Sequence, residues 1–216
     1  MGKHKAKIIL ACIVATLLIA SFFCGGGCGR EGDTVDTAVS ADTADTTVLD
    51  RYHTEAVPDG SPAPVEPQES TVTDESFSVV ISIRCDRLTE NLQLLHKDKR
   101  ELVPEDGLIL AQTEAVAYEG ENVFNVLQRE TKRAGVHLEF MNTPIYNSAY
   151  IEGIANLYEF DAGELSGWVY KVNDWYPNYG CSRYPLSSGD VIEWQYTCDL
   201  GRDLGADGLR GWQKDE

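Results

Sequence analysis

The chain is short of the side chains that carry most enzymatic chemistry. It has four histidines, His4, His53, His96 and His137, and two methionines among 216 residues. No Gly-x-Ser-x-Gly elbow, phosphate loop or His-Glu-x-x-His zinc motif occurs. Acid pairs are present, but nothing separates them from a generally acidic surface, so the chain is expected not to be an enzyme. Positive charge is scarce too: 18 basic residues stand against 35 acidic ones, a formal net charge of -17. A general nucleic-acid surface needs cations to displace counterions, so nucleic acid is excluded as a partner. A polybasic lipid-binding patch is excluded on the same ground. None of the six cysteines falls in a Cys-x-x-Cys pair, which argues against a thiolate zinc site.

The charge that is present divides the chain into blocks. Residues 1–29 hold Lys3, Lys5 and Lys7 and no acid, a balance of +3. Residues 30–75 hold 12 acids against Arg30 and Arg51, a balance of -10. Residues 76–216 keep the other 23 acids (35 − 12) and 13 bases (18 − 5), again -10.

The lysines precede an uncharged apolar run from Ile8 to Cys24. Such a pattern is a secretion signal or a membrane anchor, with the lysines retained on the cytoplasmic side. At ~1.5 Å per residue the run reaches about 25 Å, close to the thickness of a bilayer core. Cys28 follows Gly25-Gly26-Gly27 and is the better lipidation candidate, since Cys24 follows the bulky Phe23. Either route places the protein at a cell membrane, facing the extracytoplasmic side. Residues 30–75 repeat Asp, Thr and Ala, then become proline-rich at 60–67. They bury too little apolar surface to offset ordering entropy and are expected to form a disordered acidic tether. The folded domain is expected over 76–201, with a polar tail over 202–216.

Within the domain, Phe77–Ile83 alternates and is β-branched, as in a strand. Leu88, Leu92 and Leu95 fall at helical spacing. Leu108–Leu110 and Glu114–Tyr118 read as strands, and 123–134 as an amphipathic helix closed by Gly135. Further strands are expected at 136–140, 150–154, 168–173 and 191–197. These elements predict an α+β fold: a β-grasp-like mixed sheet of five or six strands with one central helix. In that arrangement the first and last strands lie side by side and parallel. Cys85 follows the first and Cys198 ends the last, so a Cys85–Cys198 disulfide is expected in an oxidising compartment, with Cys181 free. Asp199, Asp203 and Asp207 match no calcium-loop spacing and read as a solvated tail. His137, in a strand, reads as structural.

Three stretches carry a family resemblance. Leu165-Ser166-Gly167-Trp168-Val169-Tyr170-Lys171-Val172-Asn173, followed by Tyr184-Pro185-Leu186-Ser187-Ser188-Gly189-Asp190-Val191-Ile192-Glu193-Trp194, resembles a bacterial domain family of unknown function. That family is similar to the C-terminal β-domain of transcobalamin and intrinsic factor. Tyr118-Glu119-Gly120-Glu121-Asn122-Val123-Phe124 resembles the same family's strand–turn–helix passage. The resemblance covers about 77–200 and implies a ligand-binding domain, with cobalamin as its candidate ligand and a vitamin transporter as its partner; the alternative is a cell-surface module without a small-molecule ligand that uses the aromatic loop for protein or glycan contacts. In transcobalamin-type proteins a helical domain supplies the other half of the site.

The residues themselves point to the loop between the last two strands. Residues 173–184 hold Trp175, Tyr176, Tyr179 and Tyr184 with Asn173 and Gly180. This is too polar for a core, and loop aromatics held by a sheet make a stacking platform or a protein hot spot. A self-packed loop covering the sheet end accounts for the same composition. The candidate ligand residues are Trp168, Tyr170, Asn173, Trp175, Tyr176, Tyr179 and Tyr184, with Tyr146 and Tyr150 extending the surface. Trp168 and Trp194 on neighbouring strands also fit plain core packing.

Overall fold

The computed structural model describes residue 52 and residues 57–206. The N-terminal run with Cys28, the early part of the expected tether and the chain beyond 206 lie outside the described residues. Among the described residues no helix is long and apolar enough to cross a membrane.

Among the described residues, seven strands form two sheets. The first is four-stranded, ordered β2-β1-β7-β6. Strand β1 (Ser76–Arg84) is central because both of its edges find partners. It pairs antiparallel with β2 (Leu108–Tyr118) and parallel with β7 (Val191–Thr197). Its alternation places Val79, Ile81 and Ile83, all without solvent exposure, on one face. Strand β6 (Gly167–Val172) closes the other edge, antiparallel to β7 from Gly167 opposite Thr197 to Val172 opposite Ile192. The expected parallel neighbours, first strand and last, are thus present. The expected pieces at 108–110 and 114–118 are one continuous strand, with register shifts opposite Ile83.

The second sheet departs from the expected single sheet. Strands β3 (Leu138–Thr143), β4 (Ser148–Ile154) and β5 (Leu157–Tyr158) form their own antiparallel sheet. Side-chain alternation reports that a segment is a strand, but the partner backbone is chosen by register and turns. Here the β3–β4 hairpin closes on itself, and a bulge between Glu139 and Phe140 shifts its pairing. His137 lies just before β3 and is exposed rather than held in the core.

One helix of three turns, α2 (Val123–Ala134), follows the short α1 (Asp86–Glu90). Asn122 caps α2: its side chain accepts from the Asn125 amide at 3.1 Å, and Asn125 reciprocates at 3.0 Å. Gly135, at φ 67°, ends it in the left-handed conformation. The helix buries Val123, Val126 and Leu127 in the same core cluster as Val79, Ile81 and Ile83 of β1, Tyr170 of β6 and Trp194 of β7. A smaller cluster gathers Cys85, Leu88, Leu95, Leu157, Ala162 and Tyr196 under the other end.

Candidate functional site

Strand β6 delivers the aromatic loop through a tight hairpin turn. Val172 and Trp175 exchange both backbone hydrogen bonds, at 2.9 and 3.0 Å. The two residues between them, Asn173 and Asp174, both have positive φ (49° and 67°), as a primed hairpin turn requires. Asn173 tolerates this conformation because its amide is occupied locally. It donates to Asp190 at 2.7 Å and accepts from the Val191 amide at 2.9 Å. This residue, expected to face a ligand, instead ties the loop to the start of β7.

The aromatic side chains divide between two sides of the sheet. Tyr170, Tyr179 and Tyr184 are buried at 8%, 7% and 2% exposure, and Trp175 is half-buried against them. Tyr179 stacks on Tyr184 with centroids 6.1 Å apart, and Trp175 meets their rings at 5.9 and 6.2 Å. Tyr170 packs on Trp194 at 5.4 Å and donates its hydroxyl to the Tyr179 carbonyl at 2.9 Å. Burial drives the Tyr170 and Tyr184 hydroxyl pKa values upward, so both hydroxyls stay neutral. Tyr176 turns to the opposite side and donates to Gln195. Trp168 is half-buried, with its indole N–H on the Leu157 carbonyl at 2.8 Å and its ring edge-on to Tyr196. The seven candidate residues therefore do not form one open platform. Tyr170, Tyr179 and Tyr184 are a preassembled aromatic core, because their rings fill the space that the loop closes over. Trp175 and Tyr176 are partly accessible on separate sides.

The loop is locked onto β4. Gly180 approaches Ser148 so closely that a Cβ would stand 2.0 Å from the Ser148 hydroxyl. Ser148 and Ser182 share a hydrogen bond of 2.8 Å, and the Ala149 amide donates to Ser182 at 3.0 Å. Tyr150, on the outer face of β4, is exposed and bonds Glu159; Tyr146 is exposed in the preceding turn.

Within the segment expected to be a disordered tether, residues 62–66 lie against this loop. Tyr179 donates its hydroxyl to the Pro62 carbonyl at 2.6 Å, and the Val65 amide donates to the Arg183 carbonyl at 2.8 Å. Arg183, 2% exposed, pairs its guanidinium with Glu66 at 2.7 Å. The prolines prepay part of the ordering entropy, and one buried charge pair and several backbone bonds supply the rest. Arg183, Glu66 and Asn147 were not singled out by the sequence reading. The signal available was one cation in an otherwise uncharged run of loop, 175–184, and one acid inside the proline run.

The cysteines correct another expectation. Cys85, Cys181 and Cys198 are all free. Strands β1 and β7 are parallel neighbours as the pairing required, but the register is unfavourable. Arg84 stands opposite Gln195, which levels Cys85 with Tyr196 and leaves Cys198 two residues, about 7 Å, further on. Burial lifts the Cys85 and Cys181 thiols to about 12 and Cys198 to about 11. Asp199 pairs with Arg202, and Asp203 accepts from the Cys198 amide at 2.8 Å, so these two acids brace the chain end. Asp207 lies outside the described residues. Among the described residues no group of three or more His, Cys, Asp or Glu side chains is placed to hold a metal ion.

Residues 120–198 match a family described as "Domain of unknown function (DUF4430)". This stretch runs from the turn before α2 to the end of β7 and contains the whole aromatic loop. No curated protein matches the chain. Among solved structures, haptocorrin in complex with Cbi is similar over 59% of this chain at 14% identity, with a TM-score of 0.44. The match spans 26% of the haptocorrin chain, about a quarter of its length. A protein from Ruminococcus gnavus ATCC 29149, named as a candidate metal-binding protein, is similar over 56% of this chain and 96% of its own. Its identity is 15% and its TM-score 0.33.

Proposed function

We propose that the folded domain is a non-catalytic ligand-binding module held on the extracytoplasmic side of a cell membrane by the N-terminal segment. The lysine-led apolar run supports the address. The aromatic loop supports the binding role, and the resemblance to transcobalamin-type β-domains supports cobalamin or a related ring system as its ligand, captured for a transporter. The carrying observation is Trp175. Its backbone is pinned by the exchange with Val172, its ring rests on Tyr179 and Tyr184, and part of it remains accessible. An aromatic ring ordered before the ligand arrives costs little further entropy on binding.

The test is a titration of the full chain with cobalamin, other tetrapyrroles and glycans, followed by Trp fluorescence. A saturable signal for a tetrapyrrole, weakened by about 1–3 kcal/mol in Trp175→Ala, supports the reading; stacking on nucleobases is the analogue for that magnitude. Saturation by none of the ring systems refutes it. A second reading, a cell-surface module that contacts protein, is favoured by one observation: residues 62–66 of the chain already lie on this loop.

A further inference from the structure

The contacts of residues 62–73 follow a pattern of their own. Pro62 offers its carbonyl to Tyr179, Val65 its amide to the Arg183 carbonyl, and Glu66 its carboxylate to the Arg183 guanidinium. Asn147, in the β3–β4 turn, donates its amide to Glu66 and to Gln68, the latter at 2.9 Å. Farther along, the Thr73 amide donates to the Glu119 carbonyl at 3.0 Å. Gly120 lies under this path: a Cβ there would stand 2.2 Å from the Thr71 carbonyl oxygen. Three separate parts of the domain, the aromatic loop, the β3–β4 turn and the turn before α2, thus meet one segment, which turns once between Glu66 and Glu69, where the Glu69 amide donates to the Glu66 carbonyl at 2.9 Å.

The chemistry of these contacts is that of peptide recognition. A proline-rich segment is extended before it binds, so docking it sacrifices little chain entropy. Backbone groups of the segment meet a phenol and a carbonyl, and these contacts set its direction. The Glu66–Arg183 pair sets its register, since the guanidinium is 2% exposed and the carboxylate 15%. Within residues 62–66 only Glu66 is met through a polar side chain; Pro62 and Val65 are met through backbone groups, and the two prolines restrict the chain that presents them, so the resident pattern is Pro-x-Pro-x-Glu, Pro62 to Glu66.

We infer that the groove formed by Tyr179, Arg183 and Asn147 is a binding site for an extended Pro-x-Pro-x-Glu peptide, with residues 62–66 of this chain as its exchangeable resident occupant. The tether then does more than space the domain from its anchor. Docked, it covers Tyr179 and shortens the free chain; released, it opens the groove to a segment of the same pattern. Covalent attachment gives the resident a high effective concentration, so an outside peptide competes well only when the resident is weakened.

Two measurements on the full chain test this, neither of which depends on a ring-system ligand. Hydrogen exchange is followed at the Val65 amide in the wild type and in Glu66→Gln, a change confined to the strap. Slow exchange in the wild type and exchange faster by about tenfold in Glu66→Gln are expected, the loss corresponding to one charge-assisted hydrogen bond. A labelled synthetic peptide of residues 58–72 is then titrated into both proteins. Binding to Glu66→Gln is expected to be about tenfold tighter than to the wild type, and weaker again by about tenfold for a peptide carrying the same Glu66→Gln change. Val65 exchanging at the unprotected rate in the wild type overturns the proposal. So does equal peptide affinity for both proteins. Protection that grows with protein concentration overturns the intramolecular assignment and gives the groove to a second copy's strap.

Discussion

Gly180 and Ser148 are in contact at a distance that leaves no room for a side chain on residue 180. Gly180 has φ -71°, an angle open to any residue, so its requirement is spatial rather than conformational. The contact clamps the aromatic loop of the first sheet to the second sheet, and the Ser148–Ser182 hydrogen bonds complete the clamp. Gly180→Ala is therefore expected to destabilise the domain by about 1–3 kcal/mol, the range of overpacking in a tight interior. Removing the opposing side chain with Ser148→Gly is expected to recover part of that loss. Denaturant melts of the two single variants and the double variant give the coupling, and strictly additive losses would show that the clamp is absent.

Asn173 tests how the loop is held at its other end. With φ 49° and both side-chain partners in the same chain, it has two reasons to be asparagine. Asn173→Ala is expected to cost about 2–3 kcal/mol, combining left-handed strain with two lost hydrogen bonds. Asn173→Gly is expected to cost less, because only the hydrogen bonds are lost. Thermal melts that rank glycine below alanine would contradict this account.

Trp175 and Trp194 separate partial from complete burial. Trp194 is 2% exposed, and Trp194→Ala is expected to lose about 3–5 kcal/mol. Trp175 rests on Tyr179 and Tyr184 but keeps part of its ring in solvent, so Trp175→Ala is expected to lose about half as much. Urea midpoints of both variants check this, and equal losses would place Trp175 wholly in the core.

The thiols and phenols set an alkaline limit. The folded Cys181 and Cys85 values, about 12, lie above the ordinary thiol value of 9.0, both through burial. The folded state therefore holds protons that the unfolded state releases. The stabilisation is fully present below pH 9 and is lost as pH rises from there toward 12, with a slope of at most ~1.4 kcal/mol per pH unit for each group. Tyr170, displaced upward in the same way, adds to the loss above pH 10. Denaturant midpoints between pH 7 and pH 11 are expected to be level at first and then fall. A midpoint that holds level through pH 11 would mean that these groups are accessible to water.

The strands were legible where one face of the chain is buried. Val79, Ile81 and Ile83 alternate with polar or half-buried neighbours because β1 shows only one face to the core, and period two is visible in any such strand. The helix and its end were legible for a similar reason, since its apolar stripe and Gly135 act through local chemistry, whereas the Asn122 cap was seen only in the structure. The N-terminal pattern and the aromatic composition of 173–184 are also properties of the linear chain. So is the parallel pairing of β1 with β7, once a single crossover topology is assumed.

Tertiary structure alone decided the rest. Whether β3 and β4 join the first sheet or form another depends on backbone partners that no side-chain pattern encodes. Whether an aromatic loop opens to ligand or packs on itself depends on what stands opposite, and here Trp175, Tyr179 and Tyr184 meet one another. The Cys85–Cys198 pairing failed by two residues of register, a displacement invisible in composition. The proline-rich segment looked disordered because it has almost no apolar surface to bury. It docks because Arg183, far along the chain, offers a buried charge to Glu66, and Tyr179 a buried donor to Pro62. Local composition measures what a segment buries by itself, whereas polar complementarity between distant segments exists only after the fold has brought them together.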